Sequence, residues 1–337
     1  MGRQKAVNRN LYRRIFMRNN LVLYKKAIIM LFLSLLMLCG CSSEKEKESE
    51  HKISEEVIYD EQQESEKMQT AEKETEEPEE DISETVITEV NWKNYFDGIN
   101  GSAVIYNPSE NSYQIYNQEM ALTQRSPCST FKIISSLIAL ENKIIIPDES
   151  TRTWSGEIFW NGKWNRDINF IDAFQTSCVW YYRKIIDEIG KDIMQEELNK
   201  LDYGNCDISD WEGYLNTNNN NRALTGFWIE SSLKISPKEQ VEVLDRIFGE
   251  HSVYSQETQN NLKQVMLLSE QQDRDMSVYG KTGLGKSQGV VVDAWFIGFA
   301  DTTNGRRYFC VYLGETDGKE VSSTKAKEIA IEILSDL

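Results

Sequence analysis

The sequence predicts an α+β fold, in which an antiparallel sheet carries a mostly helical insertion. Two β-type runs lie within residues 102–117, and two longer apolar runs lie at residues 290–300 and 306–314. Between them, several segments have apolar residues at helical spacing. Strands at both ends of a domain, with helices between them, indicate a sheet that is built from the two ends of the chain.

The first predicted elements follow in order along the domain. The runs SAVIYN and SYQIYN flank the turn PSEN and predict a hairpin. The segment STFKIISSLIALENK predicts a buried helix that begins at Ser129. The segment FIDAFQTSCVWYYRKIIDEIG predicts a second helix over residues 170–190, and Gly190 separates it from a third helix in KDIMQEELNKL.

The remaining elements complete a domain that we place at residues 91–337. SPKEQVEVLDRIF begins with Ser236 and Pro237, which favour the first turn of a helix. The turn DTTNG joins the two long apolar strands, and KAKEIAIEILSDL predicts a final helix. The predicted sheet is therefore flanked by terminal helices, and a mostly helical subdomain is inserted between its strands.

Residues 1–41 predict a signal peptide that ends in a lipidation site. Two lysines precede residues 27–39, which are apolar except for one serine. This run is short for a membrane-spanning helix and has the length of a signal-peptide core. It ends in LCGC, which resembles a bacterial lipobox with Cys41 as the lipidated residue. Acyl chains on Cys41 would anchor the protein to the cell membrane on its extracytoplasmic face. An uncleaved N-terminal anchor helix is the alternative.

Residues 42–90 predict an acidic, disordered tether between this anchor and the domain. They carry 19 acidic and five basic side chains and few aromatic ones. Such a segment cannot bury enough apolar surface to offset the entropy of folding, although a charged helix is an alternative for parts of it. The net charge of the whole chain is −17. We expect no nucleic-acid partner, because phosphates would be repelled.

Histidine and cysteine are too sparse for two common kinds of site. His51 and His251 have no companions at ligand spacing, so we expect neither a Ser-His-Asp catalytic site nor a metal site. The four cysteines after Cys41 have no zinc spacing and are too few for a disulfide framework. We expect these four cysteines to be small buried residues. A disulfide bridge between Cys128 and Cys178 is the alternative.

The stretch SPCSTFKI, residues 126–133, places a nucleophile beside a base. In a helix that begins at Ser129, the side chains of Ser129 and Lys132 lie on one face and can meet. The N-terminus of a helix also favours a developing negative charge. A hydroxyl, an amine beside it and an oxyanion site suit acyl transfer.

Lys132 must lose its proton to act as a base. At an ordinary pKa of about 10.4, about one lysine in 2,500 is neutral at pH 7. Burial beside apolar residues such as Phe131 lowers the pKa of a lysine by up to roughly 3–5 units. A neutral amine in such a pocket can also add CO2 and become a carbamate. The pattern S-x-x-K is not specific by itself, because a helix cap followed by a surface lysine has the same form.

Five further motifs follow this serine in a fixed order. They are SCV (177–179), YGN (203–205), FW (227–228), KTG (281–283) and WFIG (295–298). The set resembles the class D (OXA-type) serine β-lactamases over about residues 95–337, and related motif sets occur in class A enzymes and penicillin-binding proteins. The resemblance implies the serine β-lactamase and penicillin-binding transpeptidase fold, with the active site between the sheet and the helical part.

The resemblance also implies a role for each motif. Ser129 would be the acylated nucleophile, carboxylated Lys132 the general base, and Ser177 the relay of a proton to the β-lactam nitrogen. CO2-derived carboxylation of Lys132 would take the place of a cofactor. The remaining site residues would be Lys281, Thr282, Gly283 and Leu284 for substrate binding, and Val179 and Trp228 around the carbamate. The backbone N–H groups of Ser129 and Leu284 would form the oxyanion hole.

Several of these residues also have a purely structural interpretation. Trp228 and Val179 could be ordinary core residues, and YGN could be only a turn. The long Asn-rich stretch WEGYLNTNNNNRALTGFW predicts a surface loop beside the site. The arginine that the family has near its last helix is missing from SSTKAKEI, so Lys325 or Lys327 could replace it.

The expected function is hydrolysis of β-lactam antibiotics, which confers resistance to them. The expected partners are the β-lactam itself and the membrane, through Cys41. Two alternatives share the fold and the motifs: a β-lactam sensor domain that stays acylated, and a cell-wall peptidase that acts on D-Ala-D-Ala. Sensors of this type follow several membrane helices and a protease domain, which the sequence does not show, so we expect the enzyme.

Overall fold

The structure is a computed structural model, and it describes residues 84–272 and 276–337. The predicted signal peptide, Cys41 and most of the predicted tether lie outside the described residues. Within the described ranges, no helix combines the length and the apolar character that a membrane span requires.

Seven strands form one sheet. They are β1 (Val86–Glu89), β2 (Gly101–Asn107), β3 (Ser112–Tyr116), β4 (Leu267–Gln272), β5 (Met276–Ser287), β6 (Val290–Thr302) and β7 (Gly305–Gly314). Their spatial order is β1-β3-β2-β7-β6-β5-β4. The predicted hairpin is β2 with β3, and the predicted pair of long strands is β6 with β7. Because β2 pairs with β7, the two ends of the domain meet in the sheet, as predicted.

The sheet is mixed rather than antiparallel, because β1 pairs with β3 in parallel. The boundary that we predicted at residue 90 is therefore wrong, since Val86–Glu89 belong to the sheet. Three of these four residues are β-branched and favour a strand, and the free edge of β3 supplies their backbone partners. We assigned this short strand to the tether because the segment before it is strongly acidic.

The helices within the described residues are α1 (Lys93–Phe96), α2 (Gln118–Ala121), α3 (Lys132–Glu141), α4 (Phe170–Gln175), α5 (Val179–Ile189), α6 (Lys191–Lys200), α7 (Pro237–Phe248), α8 (Gln256–Met266) and α9 (Ser323–Ser335). The helices α3 to α8 form the predicted insertion between β3 and β4. The predicted start of α7 is confirmed, because Ser236 and Glu239 form a reciprocal capping box.

Two apolar cores cover the two faces of the sheet. One core packs α1 and α9 against the sheet and includes Phe96, Phe309 and Ile329. The larger core surrounds α3, of which every residue except Glu141 is buried. A helix that is buried on all sides normally carries apolar residues all round. Lys132 is the charged exception, and its burial needs a compensating function.

The helix predicted to begin at Ser129 begins instead at Lys132. Residues Cys128–Phe131 form a 3-10 turn, which we call the Ser129 turn. The carbonyl of Pro127 accepts from the backbone N–H of Thr130 at 3.1 Å and from its hydroxyl at 2.7 Å. Local bonds of this kind compete with the regular helical pattern. Ser129 therefore precedes the α-helix.

The single helix predicted over residues 170–190 is wrong, because the chain breaks between α4 and α5. Ser177 lies at the break with a left-handed φ of 57°. The hydroxyl of Thr176 donates to Asp172 O at 2.6 Å, and the indole of Trp164 donates to Thr176 O at 3.0 Å. These bonds satisfy carbonyl groups at the end of α4. The break presents Ser177 at a corner between two helices.

Candidate active site

Ser129 and Lys132 meet at the start of α3. Lys132 Nζ lies 3.0 Å from Ser129 Oγ and donates a hydrogen bond to it. Lys132 is 1% exposed, and burial lowers its pKa to about 8. At such a pKa about one lysine in ten is neutral at pH 7. Ser129 is partly exposed, so a substrate can reach the hydroxyl that this amine contacts.

The neighbours of Lys132 include two cysteines and an aromatic ring. Cys128 and Cys178 oppose the effect of burial and raise the pKa of Lys132. Both are free thiols, so the alternative bridge between them does not form. The ring of Tyr182 lies 5.3 Å from Lys132 Nζ, and its hydroxyl is bonded to Ser136 at 2.8 Å. The amine therefore faces no carboxylate in these contacts.

A second serine and lysine pair completes the group. Lys281 Nζ donates to Ser177 Oγ at 3.1 Å and to Thr282 O at 3.0 Å. Lys281 is 5% exposed, so it is not a solvated surface lysine. Burial and the neighbouring charge of Lys132 both hold the pKa of Lys281 well below its usual range. The structure thus brings together the three predicted catalytic residues with Lys281.

Strand β5 approaches the Ser129 turn closely because of a glycine. A Cβ on Gly283 would lie 2.9 Å from Thr130 Cγ2 and 3.1 Å from Pro127 O. Contacts at 2.9 Å are shorter than packed carbon atoms tolerate. Only a residue without a side chain lets the strand and the turn lie this close.

The part of β5 that faces the turn has a free edge. Within the described residues, β4 pairs with β5 at Ser277 and Tyr279, before Lys281 is reached. The backbone of Lys281 to Leu284 therefore lies beyond the last paired position of β4, and Leu284 is 39% exposed. Backbone N–H groups that point into a site can stabilise a developing oxyanion.

The cleft between these elements has a volume of about 440 Å³. The predicted site residues that line it are Ser129, Ser177, Val179, Thr282, Gly283 and Leu284. The predicted Asn-rich loop (residues 211–228) contributes to the same lining through Asn216, Asn218, Asn220 and Asn221. The cleft therefore lies between the sheet, the break before α5 and this loop.

An ion-pair network fixes the Asn-rich loop to α5. Arg222 bonds both carboxylate oxygens of Asp187, at 2.7 and 3.0 Å, and also contacts Glu212 at 2.5 Å. Arg183 on α5 pairs with the same Asp187. Bidentate arginine pairs restrict geometry more than single contacts do. The wall of the cleft thereby has a defined position.

Trp228 and the YGN motif lie outside the cleft lining. Trp228 is fully buried; its ring stacks 6.2 Å from Phe131, and its carbonyl accepts from Cys128 N at 2.9 Å. These contacts support a role in holding the Ser129 turn. Gly204 has φ 55°, and Asn205 N donates to Lys234 O at 2.9 Å. The contacts of YGN are those of a structural turn.

The sequence did not indicate several residues of the cleft lining, among them Trp160 and Lys286. Trp160 is 81% exposed and lines the cleft, and so does Lys286 on β5. Lys286 lies two residues after Leu284, a spacing that could have indicated it. Of the two lysines that we considered near the last helix, Lys325 pairs with Glu328 at 3.4 Å. Lys327 lies in an adjoining cavity, which Lys281 and Thr282 also line.

Comparison with known proteins assigns this arrangement to a family. The family of the penicillin binding protein transpeptidase domain matches residues 58–335. The chain belongs to this family. The transpeptidase domain is also similar to Beta-lactamase OXA-1 of Escherichia coli, with 34% identity over 251 residues, which cover 72% of this chain and 86% of that enzyme.

A regulatory protein is similar to the same extent. Regulatory protein BlaR1 of Bacillus licheniformis is 32% identical over 253 residues, which cover 73% of this chain and 39% of that protein. The chain therefore spans about two fifths of the length of this relative. The crystal structure of a class D β-lactamase from Bacillus subtilis superposes with a TM-score of 0.63 at 29% identity, and covers 73% of this chain and 95% of that one.

These comparisons confirm the predicted family and fold. The transpeptidase domain has a class D β-lactamase-like structure, and its relatives include both β-lactamases and a regulator. Its site contains a partly exposed hydroxyl, a buried amine within hydrogen-bond distance, a second serine and a free strand edge. This set can carry out acyl transfer to Ser129.

Proposed function

We propose that this chain hydrolyses β-lactam antibiotics through an acyl-Ser129 intermediate, with a carboxylated Lys132 as general base. The observation that carries the proposal is the buried Lys132 amine, 3.0 Å from a partly exposed Ser129 hydroxyl. A buried lysine with a lowered pKa is available both as a base and as an acceptor of CO2.

Carboxylation changes the charge balance of the site. The neutral amine of Lys132 adds CO2 to give a carbamate and releases one proton. The carbamate replaces a positive charge near Lys281 by a negative one. That change removes one of the two causes that depress the pKa of Lys281. Carbamate formation and protonation of Lys281 therefore favour each other.

Acylation then follows from the contacts of the two serines. The carbamate takes the proton of Ser129 Oγ, and the oxygen attacks the carbonyl carbon of the lactam. The backbone N–H groups of Ser129 and Leu284 bind the oxyanion. The C–N bond breaks, and Ser177, bonded to Lys281 at 3.1 Å, delivers its proton to the nitrogen. Ser177 then takes up the proton that the carbamate removed from Ser129, so the carbamate is again an unprotonated base.

Deacylation uses the same base a second time. The carbamate removes a proton from a water molecule, which attacks the ester carbon of acyl-Ser129. The ester bond breaks, and Ser129 Oγ regains its proton. Two lysines supply positive charge for the carboxylate of the substrate. Lys281 is bonded to Ser177, and Lys286 lines the cleft.

A penicillin sensor is the second candidate function. It is favoured by one observation, the 32% identity to Regulatory protein BlaR1 over 73% of this chain. A sensor would share every step up to acyl-Ser129 and would then stop. A cell-wall peptidase that acts on D-Ala-D-Ala remains a further outcome of the same test.

The deciding experiment measures product per enzyme molecule. The purified full chain is mixed with a chromogenic cephalosporin, with and without added bicarbonate. Many turnovers that bicarbonate accelerates support the hydrolase. A single stoichiometric burst supports the sensor. Release of D-alanine from a D-Ala-D-Ala peptide, without either result, supports the peptidase.

We further propose that Cys41 is lipidated and holds the protein on the extracytoplasmic face of the cell membrane. The support is the apolar run of residues 27–39 before LCGC. Cells fed a labelled fatty acid should label the wild-type chain and not the Cys41→Ala variant. Equal labelling of both chains would sink this proposal.

A further inference from the structure

A largely buried cluster lies behind the cleft, and no step of the proposed mechanism uses it. We call it the acid cluster, and its members are Cys128, Glu230 and Asp293. The sulfur atom of Cys128 and one carboxyl oxygen of each acid lie within 4.8 Å of one another. Glu230 and Asp293 line a second cavity, of about 450 Å³, so protons from solvent can reach them.

The carboxyl group of Glu230 contacts both sides of the proposed oxyanion hole. The thiol of Cys128, which directly precedes Ser129, donates to Glu230 Oε1 at 3.1 Å. A Cβ on Gly285, which directly follows Leu284, would lie 1.8 Å from the same oxygen. One carboxyl group thus touches the neighbours of both backbone donors.

Hydrogen bonds tie the same region together through its backbone. Glu230 N donates to Ser126 Oγ at 2.8 Å, and Ser126 Oγ donates to Trp228 O at 3.2 Å. The indole of Trp295 on β6 donates to Ser126 O at 3.0 Å. The chain before Ser129 is therefore held between residues 228–230 and β6.

Asp293 is the fixed half of the pair. It lies opposite Gly285 in the register of β5 and β6, beside a bulge between Gly285 and Lys286. The hydroxyl of Tyr312 donates to Asp293 Oδ1 at 2.7 Å, and Asp293 is buried. Its position is set by the sheet, and a carboxyl oxygen of Glu230 lies within 4.8 Å of one of its own, so Glu230 links that position to the Ser129 turn.

The charges around the pair favour one shared proton. Burial in the first place, and the carboxylate of Asp293 in the second, raise the pKa of Glu230 to about 7, and the hydrogen bond from the Cys128 thiol and the charge of Lys234 oppose them. Two buried carboxyl groups in contact titrate as a pair and do not both ionise readily. The other titratable or charged groups that face the pair are Cys128, Tyr312, Arg125, Lys234 and Glu315.

We propose that Glu230 and Asp293 share one proton, and that this pair positions the two backbone donors of the oxyanion hole. Its role in the reaction rests on the proposed acylation of Ser129. Loss of the proton leaves two carboxylates that repel each other and loosen the packing of Glu230 against Gly285. It also adds negative charge behind a site that must stabilise an oxyanion. Acylation therefore slows when the pair loses its proton.

The first test compares acylation of the full chain by a fluorescent penicillin from pH 6 to pH 9. In Glu230→Gln, the side-chain amide donates to Asp293 at every pH and replaces the shared proton. The rate of the variant divided by that of wild type cancels the titration of Lys132. We expect a ratio near one at pH 6 and about ten or more at pH 9, because an oxyanion donor contributes 10²–10³-fold. A ratio that does not change with pH would overturn the proposal.

The second test needs no reaction with penicillin. The raised pKa of Glu230 means that the folded state holds this proton more tightly than the unfolded chain does. Its stabilisation is therefore full below about pH 4.5 and is lost as the pH rises through about 7. The Tm of Glu230→Gln minus that of wild type should increase between pH 5 and pH 8.

The matched variant Asp293→Asn keeps the proposal testable if Glu230→Gln does not fold. In Asp293→Asn, the amide donates to the ionised Glu230, so both the rate ratio and the Tm difference should increase with pH in the same way. Tm differences that stay constant with pH in both variants would overturn the shared proton. A chain with the expected Tm behaviour that never reacts with penicillin would instead contradict the proposed function.

Discussion

At the scale of single residues, Lys132 owes its chemistry to its position in the core. The sequence indicated the pair with Ser129, because residues three apart in a helix lie on one face. The extent of burial could not be predicted, since it depends on the packing of α3 by residues distant in the chain. That burial lowers the pKa of Lys132 to about 8 and makes the amine available.

Replacement of this amine should stop turnover after the first step. In Lys132→Ala, we expect turnover of a chromogenic cephalosporin to fall by about 10²–10⁴-fold, the usual contribution of a general base. Mass spectrometry should detect any acyl-Ser129 that forms. Lys191→Ala, an exposed lysine on α6, is the matched control and should keep the wild-type rate. Wild-type turnover in Lys132→Ala would contradict the assigned base.

Lys286 should act on substrate binding rather than on the chemical step. It is exposed at the cleft, so its attraction to a substrate carboxylate is expected to contribute about 0.5–1 kcal/mol. Lys286→Ala should raise KM by about two- to fivefold and leave kcat nearly unchanged. High salt should reduce the difference between the two proteins. A fall in kcat with an unchanged KM would argue against this role.

The acid cluster shows a limit of sequence reasoning at this scale. Cys128, Glu230 and Asp293 come from three separate segments, and none belongs to a recognised motif. Their contact depends on the register of β5 and β6 and on the bulge after Gly285. Local patterns carry no information on such a register shift.

At the scale of elements, the site depends on interruptions of regular structure. The sequence predicted the positions of the strands β2, β3, β6 and β7 and of most long helices from their periodicity. It did not predict the break at Ser177 or the Ser129 turn. Both are stabilised by specific hydrogen bonds, one of them from Trp164 to Thr176, rather than by the spacing of apolar residues.

The close approach of β5 to the Ser129 turn can be tested with one methyl group. In Gly283→Ala, the added Cβ would lie 2.9 Å from Thr130 and would push the strand away from the nucleophile. We expect acylation by a fluorescent penicillin to slow by about tenfold or more, since small displacements of catalytic groups are costly. Gly162→Ala is the control, because an added Cβ there meets no atom within 4 Å. Equal rates in the two variants would contradict the role of Gly283.

At the scale of the whole molecule, the folded part begins earlier than its composition predicts. The side chains of Val86–Glu89 are exposed, so β1 contributes through its backbone pairing with β3. Composition separates acidic segments from folded ones but does not detect a short edge strand. The architecture could therefore be predicted from the sequence, except for the parallel strand β1, which lies before the predicted start of the domain at residue 91.

Removal of β1 should lower stability by a measurable amount. A chain that begins at residue 91 loses the parallel pairing, which we expect to cost about 1–2 kcal/mol from lost backbone hydrogen bonds. Each kcal/mol corresponds to about 2–4 °C in Tm for a domain of this size. The control begins at residue 84 and keeps β1. Equal Tm values for the two chains would show that the strand adds nothing to the fold.

The bond between Ser177 and Lys281 joins residues 104 positions apart in the chain. Contacts of such long sequence separation are slow to form during folding, because a large loop must close before they are made. Ser129 and Lys132 are adjacent as soon as the Ser129 turn and the start of α3 have formed, but the reactive arrangement also requires β5. The rate of covalent labelling by a penicillin during refolding would therefore report the rate at which β5 reaches the site.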